Sequence, residues 1–125
     1  MNVVDSSAWI EFFVGGPNAS FFAPPIENVE RLIVPSICVL EVFKKVLRER
    51  GEDEALRSVA QMQQGKVVAL DTPLALLAAK LGLEHKLPLA DSVVLATAWT
   101  LGALVWTQDV DFEGLEGVRF KAKRK

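Results

Sequence analysis

Four acidic residues stand apart from the other charges of the chain. Asp5 is the only charged residue among the first ten, and Asp91 is the only one between positions 87 and 108. Glu41 and Asp109 each follow a short apolar stretch. Carboxylates and water form the shell that Mg²⁺ or Mn²⁺ prefers, and a cation removes the repulsion between acids within about 4–6 Å of one another. These residues therefore indicate a divalent metal site, provided that the fold brings them together.

Each of these acids also has a purely structural interpretation. Asp5 and Asp91 could be N-terminal charges that begin helices. Asp109 could belong to a turn. Glu41 could form an ion pair with Lys45 one helical turn later, a contact worth only about 0.2–0.5 kcal/mol. Residue type alone does not decide between these interpretations. The positions of the acids in the predicted helices and strands are therefore needed.

Strands and helices alternate along the chain. The patterns predict strands over 1–4, 32–34, 66–70, 103–106 and 118–120, helices over 5–13, 36–50, 52–64, 71–85 and 91–102, and loops at 15–18 and 23–25. The strands are continuously apolar rather than alternating, which favours an α/β fold with a parallel sheet covered by helices. Sites in such folds form at the carboxyl ends of the strands. Asp5, Asp91 and Asp109 lie beside predicted strand ends or helix starts, so we expect them to converge with Glu41 on one edge of the sheet.

Composition excludes several classes of function. The chain has 125 residues, enough for a single domain over 1–125, and its 14 basic and 16 acidic residues exclude a generally basic nucleic-acid coat. Single copies of cysteine (Cys38) and histidine (His85) exclude an internal disulfide and a Cys/His zinc cage. The glycines form no phosphate-binding loop.

No targeting or membrane signal is evident. The N-terminus lacks a basic leader, and the longest uncharged run, 92–108, is shorter than the roughly 20 residues that span a bilayer. We therefore expect a soluble, cytoplasmic protein. The basic tail at 121–125 is expected to be flexible.

Four segments carry a resemblance to a known family. They are, in order, Val3-Val4-Asp5-Ser6-Ser7, Pro35-Ser36 through Leu40-Glu41-Val42, Ala90-Asp91 with Ala96 and Ala98 following, and Thr107-Gln108-Asp109-Val110-Asp111-Phe112. This ordered set resembles the PIN-domain ribonucleases and, in size and layout, the VapC-type toxins of toxin–antitoxin pairs. One departure is the lack of any tyrosine: Leu89 and Ala90 stand where relatives often have an aromatic residue.

The resemblance implies a PIN-like three-layer α/β/α sandwich around a mainly parallel sheet. It also implies a ribonuclease that depends on Mg²⁺ or Mn²⁺. The implied catalytic acids are Asp5, Glu41, Asp91 and Asp109, with Asp5, Asp91 and Asp109 as metal ligands. The implied supporting residues are Thr107, Asp111 and one of Ser6 and Ser7.

Cations must contact the phosphates of an RNA substrate if the site itself is acidic. Lys44, Lys45 and Arg48 share a helical stripe with Glu41 and are candidates, although a solvated helix face is the alternative. The resemblance further implies a homodimer and a groove for an antitoxin's amphipathic segment, and the aromatic residues over 9–22 could supply apolar area for such a partner. Two other functions remain open: a non-catalytic interaction module, and a metal-dependent DNA or flap nuclease.

Overall fold

Five parallel strands and six α-helices make up the protein, whose computed structural model describes residues 1–124. The strands are β1 (Asn2–Val4), β2 (Leu32–Pro35), β3 (Lys66–Val68), β4 (Leu104–Thr107) and β5 (Val118–Phe120). The helices are α1 (Ser6–Val14), α2 (Ala19–Glu27), α3 (Ser36–Arg50), α4 (Glu52–Met62), α5 (Thr72–His85) and α6 (Leu89–Thr100). Short 3₁₀ turns cover Val29–Arg31 and Val110–Phe112.

The sheet has the strand order β3-β2-β1-β4-β5, and every neighbouring pair is parallel. The first strand of the chain is therefore the central one. The ends of β1 and β4 lie side by side because Val4 is in register with Trp106. Helices flank this sheet, which confirms the predicted three-layer α/β/α arrangement.

Burial on both faces of the sheet explains why the sequences of the central strands are continuously apolar. Val3, Val4 and the whole of β2 are buried, because helices cover both faces of the sheet at these strands. The uncharged stretch that begins at Ser92 is α6, which is buried without interruption from Ser92 to Ala98. A helix that is apolar on all sides is typical of the buried centre of a globular protein, and α6 occupies such a position.

The second helix corrects the sequence prediction. Residues 23–25 were expected to form a loop, but Pro24 and Pro25 lie inside α2. Each proline removes a helical N–H donor, so two hydrogen bonds are missing from this short helix. Burial of Phe22, Pro25 and Ile26 compensates for them, and tertiary packing overrides local propensity here.

Smaller differences affect the ends of elements. Helix α6 begins at Leu89 rather than at Asp91, and β3 ends at Val68 rather than at position 70. The aromatic residues over 9–22 were expected to leave some free apolar area. Trp9 and Phe22 are buried, whereas Phe12, Phe13 and Phe21 are half-buried and keep part of their surface exposed.

The basic tail is hydrogen-bonded at its start. The Lys121 N–H donates to the Thr107 carbonyl at 3.0 Å. The Asn18 side-chain amide donates to the Ala122 carbonyl at 2.9 Å. The prediction of flexibility at Lys125 lies outside the described residues. Across residues 1–124, none of the helices combines the length and the apolar character needed to cross a membrane.

Candidate active site

Three of the predicted acids meet at the carboxyl edge of the sheet. Asp5 follows β1, Asp109 follows the neighbouring β4, and Asp91 lies in the first turn of α6. One carboxylate oxygen from each lies within 4.8 Å of the other two. We call Asp5, Asp91 and Asp109 the acidic cluster. Asp5 is buried and the other two are half-buried, so the cluster is open to solvent on one side.

Three hydrogen-bond donors hold the two oxygens of the Asp5 carboxylate. Its Oδ1 accepts from the Ala8 N–H at 3.0 Å, which makes it the N-cap of α1. The Ser7 hydroxyl lies 2.9 and 3.1 Å from the two oxygens, and the Thr107 hydroxyl donates to Oδ2 at 2.8 Å. The capping interpretation and the metal-site interpretation of Asp5 are therefore compatible.

Thr107 joins the two strand ends that carry the cluster. Its hydroxyl donates to Asp5 and accepts from the Asp109 N–H at 2.9 Å. The Asp109 side chain in turn accepts from the Asp111 N–H at 2.9 Å, which is the turn geometry expected as an alternative. The hydroxyl of Thr107 thus fixes the separation of Asp5 and Asp109 through a completely buried side chain.

The electrostatics of the cluster are unfavourable when it carries no cation. Burial raises the pKa of Asp5 from 3.8 to about 6, partly offset by its hydrogen bonds, and the charge of Asp109 adds to the increase. The pKa of Asp91 rises to about 8 because of burial, the charge and hydrogen bond of Asp109, and the charges of Asp5 and Asp111. A divalent cation offsets this repulsion, and three carboxylates with water are ligands that suit a hard cation. The residues therefore fit a divalent metal ion.

Glu41 lies beside the acidic cluster rather than in it. Its Oε1 accepts a hydrogen bond of 2.6 Å from the Ser6 hydroxyl. The charges of Glu41, Asp5 and Asp91 all act on the buried Cys38 thiol, whose pKa burial raises strongly. Glu41 is thus a neighbour of the cluster on α3. The two serines have different partners: the Ser7 hydroxyl donates to Asp5, and the Ser6 hydroxyl donates to Glu41.

The predicted cations lie next to Glu41. Glu41, Lys44, Lys45 and Arg48 line one groove on α3 together with Ser6. Lys45 pairs with Glu49 at 3.3 Å, so the alternative pair of Glu41 with Lys45 is wrong. In the described part of the chain, Lys44 and Arg48 form no ion pair.

Sequence reasoning missed two residues that support the cluster. The Asn18 amide is buried and donates to Gln108 Oε1 at 3.1 Å. Gln108 in turn reaches the Ser7 carbonyl at 3.4 Å. Gln108 lies inside the matched segment 107–112, which was a usable signal, whereas Asn18 was part of a predicted loop and nothing in its neighbours marked it.

Comparison with known proteins identifies the family. The PIN domain profile matches residues 3–118, which is nearly the whole chain. The chain belongs to the PIN domain family. The resemblance found in its sequence is therefore confirmed. No curated protein matches it significantly.

Solved structures with the same fold include toxin–antitoxin proteins. A toxin–antitoxin complex from Klebsiella pneumoniae is 22% identical, with 95% of this chain and 96% of that chain covered and a TM-score of 0.81. VapC20 from Mycobacterium tuberculosis, a sarcin-ricin loop cleaving toxin, is 16% identical over 94% and 97% of the two chains, with a TM-score of 0.78. DNA-bound VapBC from Salmonella typhimurium is 17% identical over 97% and 96%, with a TM-score of 0.73. This PIN domain shares their fold along almost its full length.

Proposed function

We propose that this PIN domain is a metal-dependent ribonuclease and the toxin of a toxin–antitoxin pair. The acidic cluster at the carboxyl edge of the sheet carries the proposal, because three ionised carboxylates within 4.8 Å repel one another and a cation offsets that repulsion. Membership of the PIN domain family supports nuclease chemistry. The fold shared with VapC20, a toxin that cleaves RNA of the sarcin-ricin loop, supports RNA as the substrate.

Asp5, Asp91 and Asp109 would hold the ion, and oxygen-only ligands favour Mg²⁺, with Mn²⁺ as an alternative. Such an ion lowers the pKa of a coordinated water and offsets charge on a phosphate. We assign Glu41, held by Ser6 outside the cluster, to accept the proton of the attacking water. Asp111 adds negative charge near Asp91.

Substrate binding is assigned to the groove beside Glu41. Lys44 and Arg48 project charge along this groove and form no ion pair within residues 1–124. Lys45 shares its charge with Glu49. Phosphate oxygens of a single RNA strand would contact these cations while one phosphodiester lies at the acidic cluster.

A groove between α1, α3 and α4 supports an antitoxin partner. Ile10, Phe13 and Val46 form its apolar floor, and Glu49 and Arg57 are part of a rim of both charges. An amphipathic segment could bury its apolar side on this floor and pair its charges with the rim. Three solved structures of the same fold are VapBC or toxin–antitoxin complexes, which supports this type of partner.

Exposed leucines support a homodimer. Leu76, Leu83 and Leu89 are 62%, 85% and 83% exposed. Leu76 and Leu83 are two turns apart on α5, so they share one face, and Leu89 begins the neighbouring α6. A second copy of this chain would remove this apolar face from water.

Cleavage of a fluorogenic RNA in Mg²⁺ or Mn²⁺ tests the proposed function. We expect cleavage that EDTA abolishes and that Asp5→Asn reduces to background, because Asn carries no charge for the cation. The exposed Asp53→Asn, in the first turn of α4, is the matched control and should cleave at the parent rate. Both variants should remain folded by circular dichroism.

Other outcomes would contradict the proposal. An Asp5→Asn protein that cuts RNA at the parent rate would refute the assigned site. Cleavage of DNA or flap substrates without cleavage of RNA would favour a DNA nuclease. No cleavage of either, with Mg²⁺ and Mn²⁺ both present, would favour a non-catalytic interaction module.

A further inference from the structure

The basic segment 121–124 leaves the sheet at the same edge as the acidic cluster. Strand β5 is parallel to β4, with Thr107 in register with Phe120, so both strands end at this edge. The Lys121 N–H then donates to the Thr107 carbonyl, and the Thr107 hydroxyl contacts Asp5. Thr107 therefore contacts both the start of the basic segment, through its carbonyl, and the acidic cluster, through its hydroxyl.

Two further contacts direct the segment along this edge. The Asn18 amide bonds the Ala122 carbonyl at 2.9 Å and at the same time contacts Gln108, beside Asp109. The Lys121 ammonium lies 5.8 Å from the centre of the Phe21 ring. The backbone at 121 and 122 is thus fixed beside the site, and the exposed Lys123 and Arg124 follow directly.

Exposed cations follow the strands on both sides of the central β1, a distribution that suits a polyanion. No acidic residue follows Glu116 in the chain, and Lys121, Lys123 and Arg124 lie within four positions of one another. Lys44 and Arg48 lie on the helix that follows β2, on one side of the central β1. The segment 121–124 follows β5, on the other side and about 10 Å from β1 at about 4.8 Å per strand.

We propose that Lys123 and Arg124 form a second phosphate-binding element, which contacts the RNA backbone on the side of the acidic cluster opposite Lys44 and Arg48. The proposal rests on the proposed ribonuclease function. An acidic centre repels the phosphates on both sides of the bond to be cut, and cations on only one side would leave the second side without a favourable contact. With both elements, one RNA strand crosses the edge of the sheet between two groups of cations.

The test measures binding of a fluorescent single-stranded RNA by anisotropy, in Mg²⁺ and at several salt concentrations. All proteins carry Asp5→Asn so that the RNA stays intact. The double variant Lys123→Gln/Arg124→Gln removes two charges from the exposed element and leaves Lys121 on Phe21. The matched control is Arg31→Gln/Lys66→Gln, which removes two exposed charges at the amino edge, where β2 and β3 begin.

We expect Lys123→Gln/Arg124→Gln to raise the Kd for RNA about fivefold to thirtyfold at low salt, and to reduce the slope of log K against log salt by about 1.4, for two lost contacts to a single strand. The control should change neither quantity. In the Asp5-containing protein, the same double variant should raise KM for RNA cleavage and leave kcat unchanged, because the lost contacts act equally in the ground and transition states.

An unchanged Kd and an unchanged salt slope for Lys123→Gln/Arg124→Gln would overturn the proposal, as would an equal effect of the control. If the variant weakens binding of polyglutamate but not of RNA, the segment binds an acidic protein and the proposal is also wrong. In each case, cleavage by the unaltered chain shows that the ribonuclease function stands. A chain that neither binds nor cleaves RNA would overturn both.

Discussion

Asp5 combines two roles that sequence analysis treats as alternatives. It caps α1 and it belongs to the acidic cluster. The Ala8 N–H, the Ser7 hydroxyl and the Thr107 hydroxyl hold its carboxylate in one orientation before any cation arrives. Because this orientation is fixed in advance, binding of a metal ion at the cluster would cost little conformational entropy at Asp5.

The raised pKa values of Asp5 and Asp91 predict how pH affects the metal-free protein. Between the unfolded value of 3.8 and the folded values of about 6 and about 8, the folded state binds more protons. The free energy of unfolding in EDTA should therefore be highest at the acidic end of this window and fall as pH rises through 6 and 8. For Asp5 the loss is on the order of 3 kcal/mol, at 1.36 kcal/mol per pKa unit.

Urea unfolding in EDTA from pH 5 to pH 9 measures this effect. Asp91→Asn should flatten the profile, since the Asn amide has no proton to lose in this pH range, and Asp53→Asn should leave it unchanged. Addition of Mg²⁺ should stabilise the parent more at pH 8 than at pH 5, because protons compete for the same oxygens. A metal-free stability that increases from pH 5 to pH 8 would contradict the electrostatics assigned to the cluster.

The residues of the site differ in how predictable they are. Asp5, Asp91 and Asp109 could be predicted because each interrupts an apolar run, and the parallel pattern implies that strand ends meet. Asn18 could not be predicted in this way. Its role depends on the path of the chain after β5, which local sequence does not encode, and its partner Gln108 is more than eighty positions away in the chain.

At the scale of elements, predictability follows burial. Strands β1 and β2 were predicted because burial on both faces selects continuous apolar residues. Helix α2 was not predicted because Pro24 and Pro25 normally mark loops. The helix forms because its buried face packs against α1 and β1. Local signals fail where long-range packing supplies the stabilisation.

The Asn18 side chain ties the connection before α2 to Gln108 and to the chain after β5, so its removal is expected to change stability. Asn18→Ala removes the bonds to Gln108 and to the carbonyl of the exposed Ala122, and it leaves the buried Gln108 Oε1 without this donor. Such a loss costs about 1–3 kcal/mol per unsatisfied group. We expect a lower melting temperature and faster amide hydrogen exchange at Lys121, the residue before the released carbonyl.

Asn28→Ala is the matched control for this prediction. Asn28 lies at the other end of α2, is exposed and makes no capping bond through its side chain. Its melting temperature should stay within about 2 °C of the parent, because most surface substitutions change the free energy of unfolding by less than about 0.5 kcal/mol. Equal melting temperatures for Asn18→Ala and the parent would show that the Asn18 bonds contribute nothing to stability.

At the scale of the whole molecule, the exposed leucines of α5 and α6 predict the state of association. We expect the chain to be a dimer at micromolar concentration and Leu83→Glu to be a monomer of equal secondary structure, because a buried charge without a partner opposes association. Light scattering coupled to size exclusion measures the mass of each protein.

Leu56→Glu serves as the control for this measurement, since Leu56 is 51% exposed on α4, a different helix from those that carry the leucines of the proposed interface. It should remain a dimer. A parent protein that is strictly monomeric, or a dimer that Leu83→Glu leaves intact, would contradict the assigned interface.

The central position of the first strand has a consequence for synthesis. Residues 2–4 are translated long before their neighbour on one side, β4 at residues 104–107, and the cluster needs Asp109 as well. A ribosome must therefore translate beyond residue 109 before any copy can assemble the cluster. Nascent chains and truncated products that stop short of Asp109 lack one of the three carboxylates, so the complete cluster forms only late in the synthesis of this domain.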